Sequence, residues 1–326
     1  MAELSDQLTK YLTDAYSIEQ QALAQLRTAP DLVGDPELAR IFSEHLTETE
    51  GQEERIGALL EERGASPSRI KDMVMAAGGK AFVLFARSQP DTTGKLTAHA
   101  HSYEALEEAS YEMLLGVAER AGEDEVVDAA RSIRDQETRM RERLAGAFDA
   151  AAEQSLREVD PDDLDQQLTK YLADAHAIEA QAIQLLQRGP KIGGVPELEQ
   201  LYERHLEQSR DQQRRVEERL DALGGSPNRL QDAAMRLGAL NWGAFFQAQP
   251  DTPGKLAAFA YAFEHLEIGG YELLKRVAAR AGDQETVAMA DSIIVEERAM
   301  AGSVQALFAK ALDASLDAQG VGGGAG

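Results

Sequence analysis

The feature that most constrains this chain is an internal repeat, in which the first half of the sequence returns in the second half at an offset of 160 residues. DQLTKYLTDAYSIE returns as QQLTKYLADAHAIE, and SQPDTTGKL returns as AQPDTPGKL, without a gap. Because this period is longer than that of solenoid repeats, we expect two domains of one fold. The expected boundaries are one domain over residues 1–158, a linker over 159–163, a second domain over 164–318 and a disordered Gly-rich tail over 319–326.

Each copy shows the apolar spacing of core-facing helices, with intervals of three and four residues. In the first copy we expect a first helix from about Ser5 to Arg27 and a second from Pro36, capped by Asp35, to near Gly64. A third should run from after QPDTTG to near Gly122, and a fourth from about Asp124 to beyond Phe148.

The connection between the second and third helices is long, and its apolar segment IKDMVMAAGGKAFVLFA predicts a helical crossover. Alternating β-branched runs are absent from the sequence, so no sheet is expected. The predicted fold class is therefore all-α, with two tandem four-helix bundles that each carry a helical crossover segment.

Composition excludes several classes of function. The formal charge is −24 and no Lys/Arg-rich run occurs, which argues against binding to nucleic acid or to anionic lipid. There is no cysteine, so disulfides, thiolate metal sites and cysteine nucleophiles are excluded. The sequence shows neither a signal-peptide pattern nor a run of about 18 apolar residues, so we expect a cytoplasmic protein.

Every predicted long helix places an ionisable side chain on its apolar stripe near mid-length. Glu19 lies between Ala15 and Ala22 on the first stripe, and Glu137 interrupts the fourth in the same way. The candidates in the first copy are Glu19, His45, Glu48, Glu104, Glu107 and Glu137.

In a four-helix bundle these midpoints converge. Ionised carboxylates buried together would be costly and could not all keep their charge. A pair of cations would neutralise them, and carboxylates with an imidazole suit iron or manganese. Taken alone, Glu48 or Glu104 fits a stripe edge that reaches water, and His45 fits a hydrogen-bonded core residue; the coincidence on four helices favours metal.

The second copy repeats most of this set. Its candidate ligands are Glu179, His205, Glu264, Glu267 and Glu297. Glu48 becomes Gln208, a weaker neutral ligand, while His265 replaces Ala105 and Glu296 replaces Gln136. Either new residue is a candidate to compensate for the lost carboxylate.

At these residues the chain resembles a known family. YSIEQQ, EHLTETEGQ, FEHLEIGGYELL and VEERAMAGSV are similar to YciE/YciF-type bacterial stress proteins of the ferritin-like superfamily, over nearly the whole of both copies. The resemblance implies ferritin-like four-helix bundles, a stress-associated cytoplasmic role and a di-iron or di-manganese centre. It also implies dimers, so the two copies are expected to form an intramolecular pseudo-dimer, and further oligomerisation is open.

The chain departs from well-understood di-iron relatives, which carry Glu-x-x-His on two helices. The second helix reads His45 to Glu48 in the reverse order, and the fourth has Met140 three residues after Glu137. The second imidazole is therefore missing, and Met300 repeats the departure. This favours a carboxylate-rich site.

Three functions remain open at this point. The first is Fe(II) oxidation or peroxide consumption, with Glu107 and Glu137 bridging two metals, Glu19, His45 and Glu48 as terminal ligands, and Tyr103 and Tyr111 nearby. The second is a structural or interaction protein of the stress response with a vestigial site. The third is a binding module whose crossover residues Met73, Phe82 and Phe85 cover an apolar pocket.

Overall fold

The computed structural model describes residues 2–65, 92–157, 159–189, 194–227 and 252–321. The predicted crossover segment, with Met73, Phe82 and Phe85, lies outside these residues, as do residues 322–326 of the predicted tail. The described residues form two compact units, Met1–Ser155 and Leu156–Gly326. Each unit is treated by itself below.

The first unit is built from helices, and the described residues contain no β-strand. Its helices are α1 (Ala2–Leu26), α2 (Ala29–Leu32), α3 (Pro36–Glu62), α4 (Thr92–Ala121), α5 (Asp124–Gly146) and α6 (Phe148–Ser155). Among the four long helices, α1 packs against α3 and α4, while α5 packs against α4 and α3. This closed arrangement is a four-helix bundle, as predicted.

The second unit repeats the architecture. A short 3₁₀ turn at Pro161–Asp163 leads into the helices α7 (Leu164–Leu186), α8 (Pro196–Ala222), α9 (Thr252–Ala281), α10 (Gln284–Gln305) and α11 (Phe308–Asp317). Here α7 packs against α8 and α9, and α10 packs against α9 and α8. The all-α prediction of two tandem bundles is therefore confirmed. No described helix combines the length and the apolar character of a bilayer-spanning segment.

The helix ends follow from local chemistry. The Asp35 side chain accepts a hydrogen bond from the Leu38 backbone N–H at 2.9 Å, which caps α3 in front of Pro36. Gly122 adopts φ +70°, the left-handed conformation that suits the residue after α4. Ser155 Oγ accepts from the Gly94 N–H at 2.8 Å, which satisfies a donor in the first turn of α4.

The fourth long helix differs from the prediction that it continues beyond Phe148. It ends at Gly146, and a new helix starts at Phe148 after a tight turn in which the Ala147 N–H bonds to the Leu144 carbonyl at 2.9 Å. The turn lets α6 bury Phe148 and Ala151 and pack against α4. Burial of this short apolar face outweighs helical continuity.

Candidate metal centre

The predicted inner positions of the first unit come together in its core. One atom from each of four residues lies within 4.8 Å of the others, and all four side chains are buried; we call this set the first cluster: His45, Glu104, Glu107 and Glu137. α3 supplies the imidazole, α4 supplies two carboxylates one turn apart, and α5 supplies the last. A helix places residues three apart on one face, which is why Glu104 and Glu107 point to the same spot.

The imidazole of His45 stands between the carboxylates. Its Nε2 lies 3.0 Å from Oε2 of Glu104 and 3.5 Å from Oε2 of Glu137. Its Nδ1 lies 3.4 Å from Oε2 of Glu48, whose side chain is 41% exposed. Glu48, which the sequence placed among the ligands, therefore lies behind the imidazole, outside the cluster.

Glu19 completes the interior from α1. It is fully buried, and its Oε1 accepts a hydrogen bond from the hydroxyl of Tyr111 on α4. Its Oε2 has no hydrogen-bond partner within the described ranges. Glu19 is not a member of the first cluster, although its charge acts on Glu107.

Glu107 is the most unusual member of the first cluster. It is 1% exposed, and neither of its carboxylate oxygens has a hydrogen-bond partner among the residues that the structure describes. A buried ionised carboxylate without donors is costly. A cation is the partner that would satisfy two free oxygens facing other carboxylates, and the donor set of carboxylate oxygens and one imidazole nitrogen could hold a metal ion.

The pKa values show that the buried carboxyl groups of this site resist ionisation when no cation is present. Burial, reinforced by the charge of Glu137, raises the pKa of Glu107 well above its usual range, and burial raises that of Glu137 as well. Burial raises the pKa of Glu19 to about 8, although the hydrogen bond from Tyr111 acts in the opposite direction. Burial would lower the pKa of His45, but the charges of Glu104 and Glu137 outweigh it and raise that pKa. Without a cation the cluster therefore retains protons.

Gln52 supports the cluster from α3. Its Nε2 donates a hydrogen bond to Oε1 of Glu137, which leaves Oε2 of that carboxylate facing inward. Its counterpart Gln212 donates to Glu297 in the second unit. Gln52 lies on the apolar stripe of its helix, where the sequence alone assigns it no function. The signal that could have indicated one is that the second copy keeps the same residue as Gln212.

The second unit reproduces the arrangement. Its four ligand atoms also lie within 4.8 Å of one another, and this second cluster consists of His205, Glu264, Glu267 and Glu297. The Nε2 of His205 lies 3.2 Å from Oε2 of Glu264. Neither oxygen of Glu267 has a hydrogen-bond partner in the described part of the chain. Glu179 accepts from the Tyr271 hydroxyl, as Glu19 does from Tyr111.

The substitutions in the second copy fall around this cluster. Oε1 of Gln208 lies 3.2 Å from Nδ1 of His205, so Gln208 occupies the position of Glu48 behind the imidazole. His265 stacks edge-on against Tyr261 with ring centroids 4.7 Å apart, outside the cluster. Glu296 bonds to Arg215 at 2.6 Å, also outside it.

Each unit has a small cavity whose lining includes a cluster residue. The first has a volume of about 20 Å³ and reaches Glu104; the second has about 40 Å³ and reaches Glu264. Such volumes hold one or two small molecules of the size of water. The linings differ at five aligned positions: Gln25, Ala29, Phe42, His99 and Tyr103 in the first cavity, and Leu185, Gly189, Tyr202, Phe259 and Phe263 in the second.

Tyr103 has a structural partner of its own. Its hydroxyl donates to the Ile18 carbonyl at 3.0 Å, so it ties α4 to α1. Phe263 stands at the same position of the second unit without a hydroxyl. The phenol is therefore not required for the shared architecture.

Comparison with known proteins gives one family. A family model described as a domain of unknown function, DUF892, matches residues 3–157 and again residues 163–317. No solved structure matches the chain.

Proposed function

Because the chain belongs to the DUF892 family over both of its halves, with a buried histidine–carboxylate cluster in each, we propose that it is a ferritin-like metal-binding protein with a dinuclear iron or manganese centre in each unit. The observation that carries this proposal is Glu107, buried with both carboxylate oxygens lacking hydrogen-bond partners among the described residues. Its counterpart Glu267 repeats the feature.

The free oxygens suggest which residues hold the metal. Glu107 offers two oxygens and is suited to bridge two ions, with Glu137 beside it. Glu104, the Nε2 of His45 and the free oxygen of Glu19 are suited to terminal positions. In the second unit the same roles fall to Glu179, His205, Glu264, Glu267 and Glu297.

The activity that fits this donor set is oxidation of Fe(II) or consumption of peroxide. Bound iron or manganese supplies the redox chemistry, for which oxygen-rich ligands with one imidazole are suited. The chain contributes a buried site, carboxylates that hold protons when no cation is present, and Tyr111, which fixes the orientation of Glu19. The stress-associated and cytoplasmic setting implied by the family resemblance stays a prediction.

Metal content tests the proposal. We expect protein produced with added iron and manganese to contain about two to four metal ions per chain, one or two for each cluster. The double variant Glu107→Gln/Glu267→Gln should lose them. Glu108→Gln is the matched control, because Glu108 is also buried and lies beside Glu107, but it bonds to Arg141 at 2.8 Å and is replaced by Ile268 in the second unit.

A structural role with a vestigial site is the second candidate, and one observation favours it. Met140 is buried in the apolar core three residues after Glu137, where well-understood di-iron relatives carry a second imidazole. This candidate predicts no bound metal in any variant, together with unchanged or higher thermal stability of the double variant. If metal is found, uptake of oxygen with Fe(II) and loss of peroxide with Mn(II) then separate the two activities.

A further inference from the structure

The two clusters differ in what stands behind their imidazole. In the first unit Nδ1 of His45 faces a carboxylate, Glu48, at 3.4 Å. In the second unit Nδ1 of His205 faces the amide oxygen of Gln208 at 3.2 Å. Since both groups accept hydrogen bonds through oxygen, Nδ1 is the donor in both units. Nε2 is then the nitrogen that faces the cluster.

The second unit does have an extra carboxylate, but it is bound elsewhere. Glu296, at the position of Gln136, accepts hydrogen bonds from Arg215 at 2.6 Å and from Gln212 at 3.0 Å. Gln208 also bonds to it. The negative charge of Glu296 is therefore paired with a guanidinium and reaches His205 only through a neutral amide.

In the first unit the charge of Glu48 acts on His45 directly. Oε2 of Glu48 itself faces Nδ1 of His45, at 3.4 Å. The cations Arg139 and Arg143 lie nearby, but Arg139 is exposed and Arg143 bonds to Glu44 at 2.6 Å. The carboxylate thus stays on the imidazole.

A carboxylate that accepts from the far nitrogen of a ligating histidine fixes its tautomer and raises its basicity, and its loss costs about 10- to 100-fold in metal affinity. We infer that Glu48 and Gln208 are positioning residues that make the two centres unequal. The centre of the first unit binds a divalent cation about 10- to 100-fold more tightly and fills first. This inference rests on the proposed metal centres.

Manganese titration of the intact chain gives the first test. Electron paramagnetic resonance detects free aqueous Mn(II), so bound metal is obtained by difference. The wild-type chain should fill in two steps. Glu267→Gln, which retains only the first centre, should keep the tight step, and Glu107→Gln should keep the weak one.

The substitution Glu48→Gln, made in the Glu267→Gln background, places behind His45 the same amide acceptor that Gln208 places behind His205 in the second unit. Its affinity for Mn(II) should fall about 10- to 100-fold. Glu50→Gln is the matched control, because Glu50 is an exposed residue of the same helix α3 and its substitution removes the same charge while leaving the Arg143–Glu44 contact in place. It should leave the affinity nearly unchanged.

A spectroscopic measurement separates positioning from a general loss of packing. In the cobalt(II)-loaded protein the Nδ1 proton of a bound imidazole gives a strongly shifted, exchangeable proton resonance. Glu48→Gln should move this resonance and speed its exchange with water, and Glu50→Gln should not.

The outcomes distinguish this inference from the proposed function. A wild-type chain that binds no Mn(II), Fe(II) or Co(II) contradicts the metal centres themselves. Two steps of equal affinity, or equal effects of Glu48→Gln and Glu50→Gln, contradict the inequality of the two centres and leave the proposal of metal centres intact. Two binding steps of unequal affinity in the wild type, whose affinities become similar in Glu48→Gln, support the inequality of the two centres.

Discussion

The hydroxyl of Tyr271 lies 2.5 Å from Oε1 of Glu179, and both groups are buried in the core of the second unit. Tyr111 and Glu19 repeat the contact in the first unit. One oxygen of each glutamate is thus held by a phenol while the other remains free within the described residues. The pair orients a buried carboxylate toward the cluster.

Tyr111→Phe should therefore destabilise the metal-free protein. The substitution removes the only described donor to a fully buried carboxylate, at a cost of about 1–3 kcal/mol. Tyr103→Phe is the control and should cost less, because its acceptor is a backbone carbonyl and Phe263 stands there in the second unit. Urea unfolding measures the free energy of unfolding of both variants. An equal loss of stability in the two would contradict a special role for the contact between Tyr111 and Glu19.

The stability of the metal-free protein should fall as pH rises from about 4.5 to about 8. Glu19 and Glu179 have folded-state pKa values of about 8, against an ordinary value of 4.5. Between these values the folded chain binds more protons than the unfolded chain, so raising the pH favours unfolding. The raised pKa of His45 acts in the same direction.

Surface carboxylates with lowered pKa values, such as Glu44, have the opposite effect, but they lose their contribution only as pH falls through the acid range below 4.5. Urea unfolding with a chelator present, between about pH 5 and about pH 8, measures the trend. Stability that rises across this window would show that the carboxylates are ionised in the folded chain.

Bound metal should stabilise the wild-type chain and offset the loss of stability that the metal-free protein shows as pH rises. A cation at about 100 times its dissociation constant adds about 2.7 kcal/mol for each site. Thermal unfolding with and without Mn(II) measures the shift. Glu107→Gln/Glu267→Gln should show no shift, and its metal-free form should be at least as stable as the wild type, because a buried Gln is neutral without having to bind a proton. Glu108→Gln should keep the shift.

Ser155→Ala tests the fold separately from the site. It removes the acceptor for the Gly94 N–H at the start of α4 and should cost about 1 kcal/mol. Ser315→Ala removes the same contact to Gly254 in the second unit. Neither serine belongs to a cluster, so both variants should bind Mn(II) as the wild type does. Loss of metal in either variant would show that the start of α4 or α9 controls the site.

The architecture could be predicted from the sequence because it depends on periodicity. The apolar stripes and the cap formed by Asp35 and Pro36 define helices, and the repeat defines two units. The turn at Ala147 could not be predicted, because it depends on the burial of Phe148 and Ala151 against α4. The apolar spacing continues across that turn from Leu144 to Phe148 and Ala151, although Gly146 stands directly before it.

The candidate site could be predicted in part. His45 and Glu107 lie at the centre of their stripes, so their facing follows from spacing. Glu48, His265 and Glu296 lie at stripe edges, where a small rotation of the helix decides whether a side chain faces the core. Their neighbours on other helices, such as Tyr261 and Arg215, determine the outcome, and single-helix periodicity does not contain that information.

The two cavities show what joining both units in one chain makes possible. Beside the same ligand types, His99 and Tyr103 border one cavity, and Phe259 and Phe263 border the other. In an assembly of identical chains, a mutation in such a wall would change every site at once. A fused chain can change one wall and keep the other. Each molecule therefore carries two cavities with different walls in a fixed one-to-one ratio, because one chain encodes both.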